Sequence, residues 1–334
     1  MSKKKKFVVT GGAGFIGSHL VTRLLAEGHE VVVIDNLYAG FKEFIPEHEN
    51  VIHVNVDISN WPELSKKFSY FKGAEGIFHL AACARIQPSI HDPNITNDYN
   101  VTGTLNILQL MRMCGVPNIV YSGSSSYYGN GASVPCHEDD PGNPETPYAV
   151  TKHMGEEYCQ TWSKLYGIKS AVLRYFNVYG RRSPLVGLYA PVVGLFFRQA
   201  IRKEDVTIVG DGEQRRDFTH VGDVVDANIR AMNLLSGPSW DEINGEVFNI
   251  GTGVNHSINE IAQMVQAKLK NNNVNTKIVY VSQRSGEARE TLANNKKAKK
   301  LLKWKPTIDL EEGVTDLASY YLNNADKIKK GVLK

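Results

Sequence analysis

The chain has 334 residues, enough for two domains or for one large α/β domain with an extension. Hydrophobic residues make up 42% and charged residues 22%, which excludes a disordered chain. The 38 Lys and Arg against 35 Asp and Glu leave a charge of +3, too small to draw in nucleic acid or a membrane surface by bulk attraction. No run approaches the roughly 18 apolar residues of a membrane span. Cys83, Cys114, Cys136 and Cys159 lack the paired spacing of a metal or redox motif, so no metal is expected. Lys3 to Lys6 reads as a solvated strand edge. The apolar residues after it are too few for a signal peptide, and the expected location is the cytoplasm.

In chain order, Phe7–Thr10 is a short β-rich run followed by glycines. Phe15–Glu27 has helical spacing, with Ile16, Leu20, Leu24 and Leu25 on one face and Gly28 as a stop. Val31–Ile34, Val51–Val56 and Gly76–Leu80 are the next strands. Thr102–Met113 is a helix, Asn118–Ser122 a strand, Pro147–Tyr166 a long helix and Lys169–Arg174 a sixth strand. Such alternation predicts an α/β fold, a doubly wound parallel sheet with helices on both faces. After Asn177 the loops lengthen and prolines punctuate the chain, as in a smaller lobe, and Val247–Ile250 is suited to return to the main sheet. The expected division is residues 1–176, with 218–250 returning, for the first domain, and 177–217 with 251–330 for the second.

Gly11, Gly14 and Gly17 form a G-x-x-G-x-x-G turn between the first strand and the first helix, where Phe15 and Ile16 open the helix. Glycines let backbone approach a pyrophosphate, and a helix start offers unpaired N–H groups to the anion. Asp35 ends the second strand, eighteen residues beyond Gly17, with Asn36 after it and no adjacent arginine. A carboxylate there accepts from a ribose 2′-OH and repels a 2′-phosphate, which favours NAD over NADP. Asp57-Ile58 after the third strand reads as an adenine contact, as a cap for the helix starting at Trp61, or as both.

Tyr148 and Lys152 stand at i and i+4 on one helix face. An unperturbed phenol titrates near 10, and lowering it to about 7 takes roughly 4 kcal/mol of preferential phenolate stabilisation. A nearby ammonium and a positive nicotinamide ring are expected to supply it. Upstream, Ser122 and Ser124–Ser126 end the fifth strand, where ligands sit in open α/β sheets. Ser124 is suited to bind the reacting oxygen and relay its proton to Tyr148. The segment reads equally as a polar loop satisfying its own backbone.

Taken with His79-Leu80-Ala81-Ala82, Asn100–Thr104, Arg174–Asn177, Gly210-Asp211-Gly212, Gln214–Phe218 and Arg284–Glu287, these residues resemble the extended short-chain dehydrogenase/reductase family. Within it they resemble the NAD-dependent nucleotide-sugar epimerases and dehydratases. The resemblance implies a Rossmann-type domain, bound NAD and a catalytic set of Ser124, Tyr148 and Lys152. It places Leu80, Ala81, Ala82, Asn100, Ser122 and Tyr175 beside the cofactor. It assigns Asn177, Arg216, Arg284 and Glu287 to the nucleotide diphosphate, and sets Ser125, Ser126 and Val193 along the substrate. It also implies a homodimer through the Asn100–Met113 and Pro147–Tyr166 helices.

Family members that eliminate water carry Asp-Glu after the catalytic hydroxyl residue; this chain has Ser125-Ser126. What remains is reversible oxidation and reduction at one carbon. The implied activity is 4-epimerisation of a UDP-hexose, either the glucose/galactose or the N-acetylhexosamine pair. A UDP-glucuronate 4-epimerase and a 4,6-dehydratase are the alternatives. A non-catalytic NAD-binding module fits poorly with the joint presence of Tyr148 and Lys152. Gly123, Glu287 and Asn294 depart from the family pattern. Arg85 and Gln87 follow the fourth strand near the expected sugar pocket; Arg85 suits a phosphate, a uronate carboxylate or solvent, and Thr291 falls at a gatekeeper position.

Overall fold

The computed structural model describes residues 3–185, 191–270, 272, 274–282 and 288–331. Its centre is a parallel sheet of β1 (Lys6–Thr10), β2 (Glu30–Ile34), β3 (Val51–Val54), β4 (Gly76–His79), β5 (Asn118–Ser124), β6 (Lys169–Tyr175) and the Glu246–Ile250 strand. The spatial order is Glu246–Ile250, β6, β5, β4, β1, β2, β3. Chain order reverses between β1 and β4, and a crevice opens there at the carboxyl ends of the strands.

The strands form because they are short, β-branched and apolar on both faces. Alternation splits them cleanly. Phe7, Val9, Val31 and Val33 pack on one face with Leu20 and Leu24 of the Phe15–Ala26 helix and with the Val221–Leu235 helix. Val8, Val32 and Ile34 pack on the other with Ile107, Leu108 and Met111 of the Gly103–Cys114 helix and Cys159 of the Pro147–Tyr166 helix. Each such fully buried side chain contributes about 1.5–3 kcal/mol. The Pro147–Tyr166 helix starts at Thr146, whose hydroxyl accepts from Ala149 N–H, and takes Pro147 into its first turn. It ends at Gly167 with φ 69°.

The smaller lobe packs the Val192–Ile201, Ile258–Lys270 and Leu310–Asn323 helices around Phe196, Phe197, Ile261, Val314 and Tyr321. One segment crosses the division expected from sequence. Ala298, Leu302 and Trp304 belong to the first domain's core, where Trp304 Nε1–H donates to Asp223 O at 2.8 Å. The Lys296–Leu301 helix therefore docks under the main sheet. Phe218 goes the other way, into the small lobe's core.

Four strand ends also differ from the sequence expectation, the fourth strand by stopping one residue early, at His79. The third stops at Val54, before Val56 turns into the cleft. The fifth and sixth run on to Ser124 and Tyr175, because Gly123 and Ser124 pair with Arg174 and Tyr175.

Candidate active site

A cleft of about 710 Å³ runs from the glycine turn to the small lobe. At its floor Gly11 N–H donates to Ile34 O, and Gly14 N–H donates to Gly11 O. A Cβ on Gly17 would lie 2.1 Å from Gly11 O, so the helix can approach β1 this closely only through glycine. Ser18 N–H makes the first intrahelical bond, to Gly14 O, and Gly14 supplies no side-chain cap. Phe15, Ile16 and Gly17 line the cleft, and their N–H groups, first-turn donors that the helix itself does not satisfy, are suited to a pyrophosphate.

Asp35 is buried, and its carboxylate accepts from Ala13 N–H at 2.9 Å and Leu37 N–H at 2.8 Å. Asn36 Nδ2 donates to Asp57. Asp57 does not cap the Trp61 helix: it accepts from Ser59, while Asn60 caps by accepting from Glu63 N–H. Ile58, Leu80, Ala81, Ala82, Ser122 and Tyr175 all line the cleft.

Asn100 departs from its expected place. It is buried behind the wall of the cleft. Its Oδ1 accepts from Cys83 N–H, and its Nδ2 donates to Cys83 O and Thr151 Oγ1. It braces the loop after β4 against the helix that carries Tyr148 and Lys152.

Helix geometry brings Tyr148 and Lys152 to the cleft beside Ser124. Burial pushes the Tyr148 phenol above its ordinary value, a hydrogen bond with Ser124 pulls it back, and Cys83 adds to the rise. The protein's own groups thus leave the phenol above its ordinary value, and the expected acidification calls on the ammonium and the nicotinamide ring together. Lys152 is itself depressed to about 8 by burial, against the raising effect of Glu156 and Cys159. Its Nζ lies 4.4 Å from the centre of the Tyr121 ring. Ser124 Oγ accepts from Ser126 N–H at 3.2 Å and from Ser126 Oγ at 2.8 Å. With both donors aimed at it, Ser124 keeps its own proton for Tyr148 or for a ligand.

Sequence reasoning missed three supports of this site. His79 is buried between Thr10 and Thr104, its Nδ1 2.7 Å and Nε2 2.9 Å from their hydroxyls. Thr104 donates its own proton to Asn100 O, so Nε2 carries the ring proton. Burial, with Lys152's charge, lowers His79 to about 3, and it stays neutral. Glu156 forms a buried pair with Arg174, whose NH2 donates to Oε2 at 2.9 Å. Arg174 also donates to Tyr128 and stacks 3.5 Å from the Tyr127 ring centre. A Cβ at 123 would come within 2.8 Å of Glu156 Oε1, which accounts for Gly123. Tyr38 and Tyr99, 4.9 Å apart, close the end near Asp57. Two aromatics beside an acid were the available signal for that last contact.

Across the cleft the small lobe contributes Asn177, Val193 and Arg216. Asn177 Nδ2 donates to Asp217 O and to Thr291 Oγ1, each at 3.1 Å, which ties the gatekeeper position to the end of the Arg215–Asp217 strand. Arg216 stands on the Arg215–Asp217 strand and donates to Arg215 O. Arg85, Ser125 and Ser126 line the opposite wall. Arg284 and Glu287 lie outside the described residues. Among the described residues no group of three or more His, Cys, Asp or Glu is placed to hold a metal, and no helix is long and apolar enough to cross a membrane.

An unsatisfied helix start for a pyrophosphate, facing the same cleft as a buried phenol and amine, defines the class: an NAD-dependent enzyme on a Rossmann-type sheet. The chain belongs to the NAD-dependent epimerase/dehydratase family, whose model matches residues 7–251. The putative UDP-glucose 4-epimerase of Methanocaldococcus jannaschii is 39% identical over 319 residues, spanning 95% of this chain and 98% of its own. The UDP-glucuronate 4-epimerase of Thermodesulfobacterium geofontis is 34% identical over 97% of this chain and 98% of its own. The crystal structure of the Thermotoga maritima UDP-glucose 4-epimerase with UDP-glucose superposes with a TM-score of 0.88 at 35% identity, covering 96% of this chain and 99% of that one.

Proposed function

We propose that this enzyme inverts C4 of a UDP-linked hexose, with the glucose/galactose and N-acetylhexosamine pairs as the starting expectation, by transient oxidation, rotation of the keto sugar and re-reduction. One observation carries the choice of epimerisation over elimination. Beyond Ser124 the wall holds Ser125 and Ser126, and Ser126 is engaged with Ser124. The carboxylates among the described cleft residues are occupied elsewhere. Asp35 accepts from Ala13 and Leu37, in the turns after β1 and β2, Asp57 from Ser59 after β3, Glu145 from Asn130 and Asn143, and Glu290 from Asn255. Among the described cleft residues no free pair of carboxyl groups remains to expel a C6 hydroxyl as water.

In this reading Tyr148, as phenolate, takes the proton of the sugar 4-OH, directly or through Ser124. Lowering the phenol that far requires positive charge beyond Lys152, since burial alone raises it. NAD, when bound, would supply a hydride acceptor and donor for C4 of the sugar. Phe15, Ile16 and Gly17 N–H groups and Asp35 hold the cofactor. Asn177 and Arg216, with Arg284 and Glu287, hold the nucleotide diphosphate and leave the sugar free to turn. The homodimer belongs to the same proposal; Val150 and Met154 of the Pro147–Tyr166 helix and Met113 offer exposed apolar side chains for it.

The test is incubation of the purified protein with UDP-, dTDP- and GDP-sugars and NMR of the products. A C4 epimer of unchanged mass is expected. A product lighter by one water would make the enzyme a dehydratase and overturn the reading.

A further inference from the structure

Among the described residues, Arg85 is the one arginine with no hydrogen bond, ion pair or ring contact. The others are engaged: Arg23 with Glu27, Arg112 on Tyr166, Arg174 with Glu156, Arg181 with Asp316, Arg182 with Thr22, Arg198 with Leu185 O and Arg202 with Glu204. Arg215 meets Glu260, Arg216 meets Arg215 O, Arg230 meets Asp226 and Arg289 meets Asp211. Arg85 is half-buried in the cleft wall. A guanidinium stripped of part of its water without a partner is unfavourable, and a ligand anion reverses that balance.

Its place in the fold narrows which anion. Arg85 leads into the Ile86–His91 helix. One turn on, about 6 Å along the axis, Ser89 Oγ accepts from the backbone N–H of Tyr148 at 3.1 Å. Arg85 is therefore anchored to the reacting end of the cleft. The pyrophosphate-binding donors are those of the Phe15–Ala26 helix, and in the proposed function Arg216 serves the nucleotide diphosphate. Glu145 shares the cleft, its carboxylate taken by the amides of Asn130 and Asn143 at 2.6 and 3.0 Å.

We propose that Arg85 receives a carboxylate carried by the sugar ring, so that the preferred substrate is a nucleotide-linked uronic acid. This rests on the 4-epimerase reading and replaces its starting pairs of neutral hexoses with a hexuronate. The planar fork of arginine suits a carboxylate bidentately, whereas a neutral hydroxymethyl group at C6 leaves the charge uncompensated.

The experiment uses the full-length, NAD-loaded enzyme with UDP-glucuronate and UDP-glucose, reading binding by calorimetry and C4 inversion by NMR. Wild type is expected to bind UDP-glucuronate more tightly. Arg85→Gln is expected to weaken UDP-glucuronate by roughly 10- to 100-fold more than UDP-glucose, chiefly in KM. Arg85→Lys should recover part of the loss, because it keeps the charge and gives up the fork. Equal weakening of both ligands would put Arg85 on a phosphate and overturn the proposal, as would no change in either. Arg85-dependent binding of UDP-glucuronate with no C4 epimer from any sugar would overturn the reaction and leave the contact standing.

Discussion

Lys152 and Arg174 are both 4% exposed, and both lie near Glu156, yet they are satisfied in opposite ways. Arg174 is closed in. Burial works to depress it, but Glu156 and Tyr128 outweigh that and hold it above its ordinary value. Lys152 rests against an aromatic face and is left depressed to about 8. A cation that serves the fold is fully paired; one that serves a ligand is held short of a partner. Arg85, in the same wall of the cleft, follows the second pattern with less burial.

The largest effect expected is at Tyr148. Tyr148→Phe should cut kcat by about 10²- to 10⁴-fold while the protein stays folded, followed by NMR of the sugar product. Unchanged turnover would remove Tyr148 from the chemistry and leave Lys152 without its assigned role.

Breaking the paired side should act on stability. Glu156→Ala leaves a buried guanidinium unmatched and is expected to cost about 3–5 kcal/mol in urea unfolding. A loss under about 1 kcal/mol would mean that water replaces the carboxylate, and the contrast with Lys152 would fail.

Lys152→Met should do the reverse, abolishing turnover while raising stability at pH 7 by about 1–3 kcal/mol. The sign follows from titration. Folding lowers Lys152 from near 10.5 to about 8. Between those values the unfolded chain holds a proton that the folded chain lacks, so this group's penalty is full below pH 8 and fades as pH rises toward 10.5. The advantage of the Met variant should shrink across that window; an advantage constant with pH would show that the charge is not its cause.

The smallest effect is at Ser126. Ser126→Ala removes one donor to Ser124 and weakens the bond that restrains the Tyr148 pKa. A drop of roughly fivefold in kcat is expected, with KM little changed, the acid limb of the pH profile moved upward and Ser126→Thr restoring it. An unmoved pH profile would confine Ser126 to shaping the loop.

The Pro147–Tyr166 helix was legible to the residue, because its start and stop are local chemistry at Thr146, Pro147 and Gly167. The carboxyl ends of β5 and β6 were not. Gly123, Ser124 and Tyr175 carry no strand pattern of their own and are extended by pairing with each other's strands. Asn100 lies in the right neighbourhood, but only its partners Cys83 and Thr151, 17 and 51 positions away, show that it braces the wall. Four lysines in the six residues of Lys296–Leu301 mask the anchoring of Ala298. The Glu156–Arg174 pair joins a helix to a strand 18 residues apart, a spacing that no helical or strand period would flag.

Asp35 shows how firmly coenzyme choice is embedded in this chain. The same carboxylate suited to read a ribose also fastens Ala13 and Leu37, the two stretches of backbone that shape the adenosine end. Exchanging it for a residue that welcomes an extra phosphate would release both amides at once. Converting the enzyme to NADP is therefore a task of redesigning a whole loop, with residues 36–40 chosen afresh to restore the lost anchorage.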